Sequence, residues 1–158
     1  MTDRIVVDTN VLIVANGRDD TPADLECEDA CINLLLEASK GRKTVLLDTS
    51  ELIMDEYGRR CSYTGTPVGN MFYKYLNDFE HSTSKIIHIL IQQTPDEEGG
   101  FVNLPPNDFD PDDRKFLAVA KAGDGRVVNA TDSDWSEHAD FIESLGVRVI
   151  ELCPQCLK

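Results

Sequence analysis

The stretch Ile5-Val6-Val7-Asp8-Thr9-Asn10 decides the fold, because a β-branched run passes there directly into polar residues. Ile5–Val7 predicts a short buried strand, since β-branched side chains favour strands and the run contains no polar residue. Four further runs of the same kind follow along the chain, at Val45–Leu47, Ile86–Ile89, Arg126–Val128 and Val147–Ile150. The sequence therefore predicts five strands.

Helical patterns separate these runs. Between Cys27 and Ala38, apolar residues recur at steps of three and four, which predicts one helix face, and Gly41 then favours a stop. Other helices are predicted from a capping box at Asp48 and Glu51 to about Arg60, over about Gly69–Glu80, from Asp110-Pro111 onward, and over Trp135–Leu145. This alternation predicts an α/β three-layer sandwich, a parallel five-stranded sheet with helices on both faces.

Length and charge narrow the class of protein. With 158 residues, the chain has the size of one ordinary domain, so we predict a single domain over 1–158. Its 29 acidic and 15 basic residues give a net charge of −14, which excludes a general nucleic-acid-binding protein. The acidic residues either form a solvated surface or converge on divalent cations. The N-terminus shows no secretory signal and no apolar run is long enough for a membrane span, so we expect a cytoplasmic protein without membrane contact.

The chain has five cysteines. Their odd number, with no secretory signal, argues against a disulfide framework. Cys27 and Cys31 lie four residues apart on a predicted helix and are expected in the core. Cys153 and Cys156 form a lone CxxC pair, whereas a zinc site takes four ligands. We therefore expect inert thiols, with zinc binding and redox activity as the alternatives.

Acidic residues follow several of the predicted strands. Asp8 ends the first strand, and Asp132 and Asp134 follow the fourth after a short turn. Asp113 shares a helix face with apolar residues, and Glu56 points with the apolar stripe of its helix, although most helical glutamates point away. Sites in open α/β sheets lie at the carboxyl ends of the strands, so these carboxylates are expected to meet. Their mutual repulsion favours a bound divalent cation, for which oxygen ligands suit Mg²⁺ or Mn²⁺.

At this point the chain resembles PIN-domain proteins, a family of metal-dependent nucleases. The similar stretches occur in the family's order and span most of the chain: Val6–Leu12, Leu52–Tyr57, Asp110–Ala120 and Thr131–Trp135. The resemblance implies a parallel five-stranded sheet with helices on both sides. It also implies an acidic quartet of catalytic metal ligands, with Asp134 as an accessory acid; the quartet is Asp8, Glu56, Asp113 and Asp132.

The resemblance further implies hydrolysis of RNA phosphodiester bonds with two Mg²⁺ or Mn²⁺ ions. Polar neighbours would orient the carboxylates as outer-shell donors, namely Thr9, Asn10, Thr131 and Ser133. Positive partners for RNA phosphates would come from Arg59, Arg60, Arg114 and Lys115, unless these are solvated surface cations. Two features depart from the family pattern: Trp135 stands where Leu or Phe is more usual, and the segment from Asp96 to Asp113 has seven acidic residues and no basic one.

The expected function is therefore that of a metal-dependent endoribonuclease, of a toxin-like or defence type. Small PIN domains often belong to toxin–antitoxin pairs, so an inhibitory protein partner is one expectation and a homo-oligomer is another. The alternative is a non-catalytic PIN-like module that binds metal or a partner. An intact set of repelling carboxylates favours the enzyme, because a module without metal chemistry has no reason to keep that repulsion.

Overall fold

The computed structural model describes residues 3–17, 20–95 and 99–157. The strands are β1 (Asp3–Val7), β2 (Lys43–Asp48), β3 (Ile86–Ile89), β4 (Arg126–Asn129) and β5 (Arg148–Glu151). The helices are α1 (Thr9–Ala15), α2 (Leu25–Ser39), α3 (Leu52–Arg60), α4 (Val68–Asp78), α5 (Arg114–Gly123), α6 (Asp134–Glu137) and α7 (Ala139–Ser144). A 3₁₀ turn follows at Pro154–Cys156.

The five strands form one sheet in the order β3-β2-β1-β4-β5, with every neighbouring pair parallel. Strand β1 lies at the centre, where Ile5 pairs with Val45 of β2 and Arg126 of β4. The predicted α/β class and parallel five-stranded sheet are confirmed. The arrangement is compatible with a three-layer sandwich that has helices on both faces.

The core forms around the central strand because β1 is wholly apolar where it is covered. Ile5, Val6 and Val7 are completely buried. Helix α5 contacts β1, β2, β3 and β4, while α1, α2 and α4 contact one another. A Cβ atom at Gly69 would lie 2.3 Å from the backbone oxygen of Leu12, so the close approach of α4 to α1 requires glycine there.

Several helix boundaries differ from the sequence prediction. Both carboxylate oxygens of Asp48 cap α3, accepting from the backbone N–H groups of Leu52 and Ile53 at 2.9 Å. Glu51 makes no side-chain cap bond and adopts a left-handed conformation, so its predicted capping role is wrong. Helix α5 begins at Arg114 rather than at Asp110, because residues 110–113 form a preceding turn in which Asp113 N–H donates to Asp110 O.

Two further helices were not predicted correctly. The predicted helix Trp135–Leu145 is two short helices, α6 and α7, which meet at His138. Helix α1 was not predicted at all. It begins directly after Asp8, whose side chain accepts from the backbone N–H of Asn10.

The segment 92–109 was predicted to be irregular, but its described residues are anchored to the fold. Gln93 and Phe101 form an antiparallel bridge, and Thr94 N–H donates to Gly100 O at 3.0 Å. Three apolar side chains of this segment are buried: Phe101, Leu104 and Phe109. Asp96, Glu97 and Glu98, which belong to the acidic stretch, lie outside the described residues.

The expectation of unpaired thiols is wrong for two cysteines. Cys27 of α2 and Cys153, which follows β5, form a disulfide across 126 positions of sequence. No spacing pattern indicates this pair, because the contact depends on how the segment after β5 packs against α2.

Among the described residues, no helix has the length and apolar character that a membrane span requires.

Candidate metal centre

Three carboxylates meet at the carboxyl end of the sheet. Asp8 follows β1, Asp132 follows β4, and Asp113 precedes α5. One oxygen from each lies within 4.8 Å of the others. The strand-end argument therefore correctly predicted that Asp8 and Asp132 lie close together, because β1 and β4 are parallel neighbours.

A second carboxylate group shares Asp113 with the first. Asp110, Asp113 and Asp134 also offer oxygens within 4.8 Å of one another. Asp110 lies in the turn before α5, and Asp134 begins α6. Asp113 thus stands between two sets of carboxylates, a layout in which one side chain could serve two neighbouring ions.

Asp8 is held from two sides. Its Oδ2 accepts from Trp135 Nε1 at 2.8 Å, and its Oδ1 accepts from the backbone N–H of Asn10 at 3.2 Å. Trp135 is itself buried and packs edge-on against Phe109, with ring centroids 4.8 Å apart. These contacts fix the Asp8 carboxylate before any ligand binds.

Two asparagines connect β1 to the loop that carries Asp132. Asn10 Nδ2 donates to Asn129 Oδ1 at 2.9 Å, and Asn10 Oδ1 accepts from the N–H of Ala130 at 2.9 Å. Asn129, fully buried, donates to the backbone oxygen of Asp132 at 2.8 Å. Asn10 therefore acts at two points: its backbone N–H donates to the Asp8 carboxylate, and its side chain fixes the Asp132 loop.

Glu56 borders the three-carboxylate group but belongs to neither group of carboxylates found among the described residues. Its Oε2 accepts a short hydrogen bond from the Thr9 hydroxyl, and its Oε1 lies 2.7 Å from Lys115 Nζ. It also lines a groove of about 510 Å³ together with Asp8 and Asp132. The four predicted ligands thus lie in one region, with three in direct proximity and Glu56 paired to a cation beside them.

The carboxylates are electrostatically strained. Burial raises the pKa of Asp8 to about 7, and the charges of Asp132 and Glu56 add to this against the Trp135 hydrogen bond. Burial and the neighbouring Asp8 raise the pKa of Asp113 to about 9. Burial and Asp132 also raise the pKa of Asp134. Negative charge at this site therefore requires a positive partner to be stable.

The predicted phosphate-binding cations divide into three cases. Arg59 and Arg60 are exposed, line the same groove as Asp8, and form no ion pair within the described residues. Lys115 is engaged by Glu56. Arg114 is buried, and its guanidinium donates to the backbone oxygens of Phe109 and Asn107 at 2.9 and 3.1 Å. The prediction that Arg114 contacts RNA is therefore wrong, because its side chain holds the loop before α5.

The orienting roles predicted for Thr131 and Ser133 are not found. In the part of the chain that the structure describes, neither side chain donates to a carboxylate, and Ser133 makes no cap bond to α6. Three residues that were not predicted as site residues contribute to the hydrogen bonds around the carboxylates instead: Trp135, Asn129 and Glu151.

A sequence signal existed for one of these residues. Glu151 ends β5 at the same edge of the sheet, so the strand-end argument applies to it as well. Its Oε1 accepts from Asn129 Nδ2 at 2.6 Å, and burial raises its pKa. Trp135 was noted only as a departure from the family pattern, since an indole N–H aimed at a carboxylate leaves no periodic pattern.

Comparison with known proteins gives no match: no protein-family model, no curated protein and no solved structure matches the chain. What the site can bind is therefore inferred from its own residues.

The donor atoms suit hard divalent cations. Every member of both groups offers a carboxylate oxygen, with no histidine or cysteine among them. Mg²⁺ and Mn²⁺ prefer such ligands and keep coordinated water, whereas zinc favours nitrogen and sulfur. The raised pKa values of Asp8 and Asp113 agree with this, because a divalent cation would supply the charge that the carboxylates lack.

Proposed function

We propose that this protein is a metal-dependent endoribonuclease that hydrolyses phosphodiester bonds with Mg²⁺ or Mn²⁺. The observation that carries the proposal is the pair of carboxylate groups that share Asp113. Two-ion phosphodiesterases hold their ions about 3.5–4 Å apart, and a shared carboxylate is a simple way to achieve such a separation. The resemblance to PIN domains supports the same reaction.

The residues would divide the work as follows. Asp8, Asp113 and Asp132 would hold one ion, and Asp110 and Asp134 would complete a second position through Asp113. Trp135 would keep Asp8 in place through its indole N–H, and Asn10 and Asn129 would keep the Asp132 loop against β1. Glu56, which the resemblance counts as a ligand, would have to exchange Lys115 for the ion.

The bound cations would supply an acidified water molecule as nucleophile and would stabilise negative charge on the leaving oxygen. The protein's own part is to place the substrate. Arg59 and Arg60 line the groove beside Asp8, and their exposed guanidinium groups can pair with backbone phosphates. A net charge of −14 repels RNA at long range, but salt screens that repulsion beyond about 8 Å.

The test is cleavage of a mixed pool of single-stranded and structured RNA in Mn²⁺, Mg²⁺ or EDTA. We expect cutting with either metal and none in EDTA. Asp113→Asn should lower the rate about 100-fold or more, because it removes the ligand common to both groups.

Asp112→Asn is the matched control. It removes the same charge from the adjacent position, but Asp112 is exposed and belongs to neither carboxylate group. Equal activity of Asp113→Asn and wild type would overturn the proposal. Metal binding by calorimetry without cleavage of any RNA would instead favour the non-catalytic metal-binding module. A toxin-like or defence role stays a prediction that this assay does not address.

A further inference from the structure

Three cysteines come together where α2 meets the segment after β5, and a fourth, Cys156, lies in the 3₁₀ turn that follows. The sulfur atoms of Cys27, Cys31 and Cys153 lie within 4.8 Å of one another, and all three residues are fully buried. Cys156 is buried in the 3₁₀ turn that follows. None of them belongs to either carboxylate group, so the proposed nuclease reaction does not use them.

The backbone brings the sulfurs to one place in two pairs. Cys27 and Cys31 are four residues apart on α2, which puts them on the same helix face. Cys156 N–H donates to Cys153 O at 2.9 Å, and side chains three residues apart eclipse in a 3₁₀ turn. Cys156 lies outside the three-sulfur group, but it is close enough to α2 to interact with Asp24 and with Cys31.

Asp24 ties the two pairs together. Its Oδ1 caps α2 by accepting from the N–H of Cys27 at 2.7 Å. The same oxygen accepts from Gln155 Nε2 in the 3₁₀ turn at 3.2 Å. The start of α2 and the terminal turn are thus held in register through the carboxylate of Asp24.

This arrangement matches the needs of a tetrahedral metal site. With zinc–sulfur bonds of about 2.3 Å, the sulfurs of a tetrathiolate lie about 3.8 Å apart. Structural zinc sites typically take cysteines in pairs separated by two to four residues. The chain offers one pair separated by three residues, Cys27 and Cys31, and one separated by two, Cys153 and Cys156.

We propose that Cys27, Cys31, Cys153 and Cys156 form a zinc site in the reduced protein, and that the Cys27–Cys153 disulfide is the metal-free, oxidised state of the same cluster. A dithiol reductant supplies two electrons and two protons to the disulfide and becomes a disulfide itself. The four thiols then bind one Zn²⁺ as thiolates and release four protons. The lone CxxC pair offers two of the four ligands that zinc takes, and the helical pair Cys27 and Cys31 supplies the other two.

The test uses the full chain reduced with a phosphine under anaerobic conditions and titrated with Co²⁺ or Zn²⁺. We expect one zinc per chain, four sulfur neighbours at about 2.3 Å by X-ray absorption, and the visible bands of a tetrahedral cobalt thiolate. The oxidised protein should bind neither ion in this way.

Cysteine variants distinguish a specific four-thiolate zinc site from nonspecific zinc binding by free thiols. Cys156→Ser and Cys31→Ser leave the Cys27–Cys153 disulfide available, so the folding of each variant can be checked in the oxidised state. Each should lower zinc affinity at least tenfold. Cys61→Ser is the matched control, since Cys61 is the one cysteine outside the cluster and is also buried. It should leave zinc affinity unchanged.

Three results would overturn the proposal. The first is fewer than four sulfur neighbours around the bound zinc. The second is equal zinc affinity of wild type and Cys156→Ser. The third is a reduced protein that is unfolded by circular dichroism and regains no structure with zinc. None of these three results depends on whether the protein cleaves RNA. The zinc proposal and the nuclease proposal can therefore fail independently.

Discussion

The acidic centre and the cysteine cluster are assembled in opposite ways. The carboxylates come from single positions in separate segments: Asp8 follows β1, Asp132 and Asp134 follow β4, and Asp110 and Asp113 precede α5. The cysteines come as two short-range pairs at Cys27–Cys31 and Cys153–Cys156. The first region consists of hard oxygen donors and has groups with raised pKa values beside an open groove. The second consists of buried sulfur. From this difference we expect substitutions in the cysteine cluster to change mainly stability, and substitutions in the acidic centre to change mainly metal binding.

The largest expected effect tests the stability role. Cys27→Ser removes the disulfide, whose long loop restricts the unfolded chain, and should lower the free energy of unfolding by about 2–5 kcal/mol in oxidising buffer. Urea unfolding of the variant and of the wild type measures this. RNA cleavage per folded molecule should not change. A variant that stays folded but loses cleavage would show that the two regions are coupled.

The next effect tests whether a neutral residue tunes the acidic centre. Trp135→Phe removes the N–H that donates to Asp8, so the pKa of Asp8 should rise further above 7 and less of its anion is present at neutral pH. Loss of such an orienting partner typically weakens metal binding about 10–100-fold. Calorimetric titration with Mn²⁺ checks this prediction.

The matched control for that experiment is Phe109→Leu, which disturbs packing against the Trp135 ring without removing a hydrogen bond to Asp8. Mn²⁺ affinity should stay near the wild-type value. Equal losses in both variants would mean that packing, rather than the indole N–H, prepares the carboxylate.

The pH dependence of stability should also come from the acidic centre. Asp8 and Asp113 have pKa values of about 7 and 9 in the folded protein, well above 3.8. Between pH 3.8 and about 9 the folded state holds more protons than the unfolded state, so the free energy of unfolding falls as the pH rises. Without divalent ions, Tm should be lower at pH 9 than at pH 6 by about 4 °C or more, given about 2–4 °C per kcal/mol.

Calorimetry or thermal circular dichroism at several pH values measures this fall. Mn²⁺ should reduce it, because the ion stabilises the ionised carboxylates, and Asp113→Asn should reduce it as well. The same pH dependence in wild type and Asp113→Asn would contradict the raised pKa of that group.

The smallest effect concerns the exposed cations beside the groove. Arg59→Ala combined with Arg60→Ala should weaken RNA binding and lower the dependence of log affinity on log salt by about 1, while Mn²⁺ affinity stays unchanged. The control is Arg126→Ala with Arg148→Ala, which removes the same charge where β4 and β5 begin. Gel-shift titrations at several salt concentrations compare the pairs. Equal losses would mean that the arginines act only through net charge.

The sequence predicted those parts of the structure that depend on local pattern and strand direction. The five apolar runs are the five strands, and the parallel pairing of β1 and β4 brings Asp8 and Asp132 together as expected. Helix α1 escaped prediction because its apolar run, Val11–Ala15, has no polar residue to mark a helical period. A run of that kind fits a strand or a helix equally well.

Other features depend on contacts between distant segments. From the sequence, Arg114 is expected to be a surface cation. Its burial depends on hydrogen bonds to backbone oxygens of the preceding loop, which no sequence pattern indicates. Cys27 and Cys153 are 126 positions apart, so no spacing rule connects them. The hydrogen bond from Trp135 to Asp8 likewise spans most of the chain. Such long-range contacts can be predicted only when the packing of the distant segments is known.

The position of β1 between β2 and β4 has a consequence for the synthesis of the protein. Asp8 is synthesised before its partners Asp113 and Asp132, which come much later in the sequence. A polypeptide that stops before residue 132, through a nonsense codon or a stalled ribosome, has no complete three-carboxylate group. Truncated products of this kind are therefore expected to lack the site, which is complete only after residue 132 has been synthesised and β4 has paired with β1.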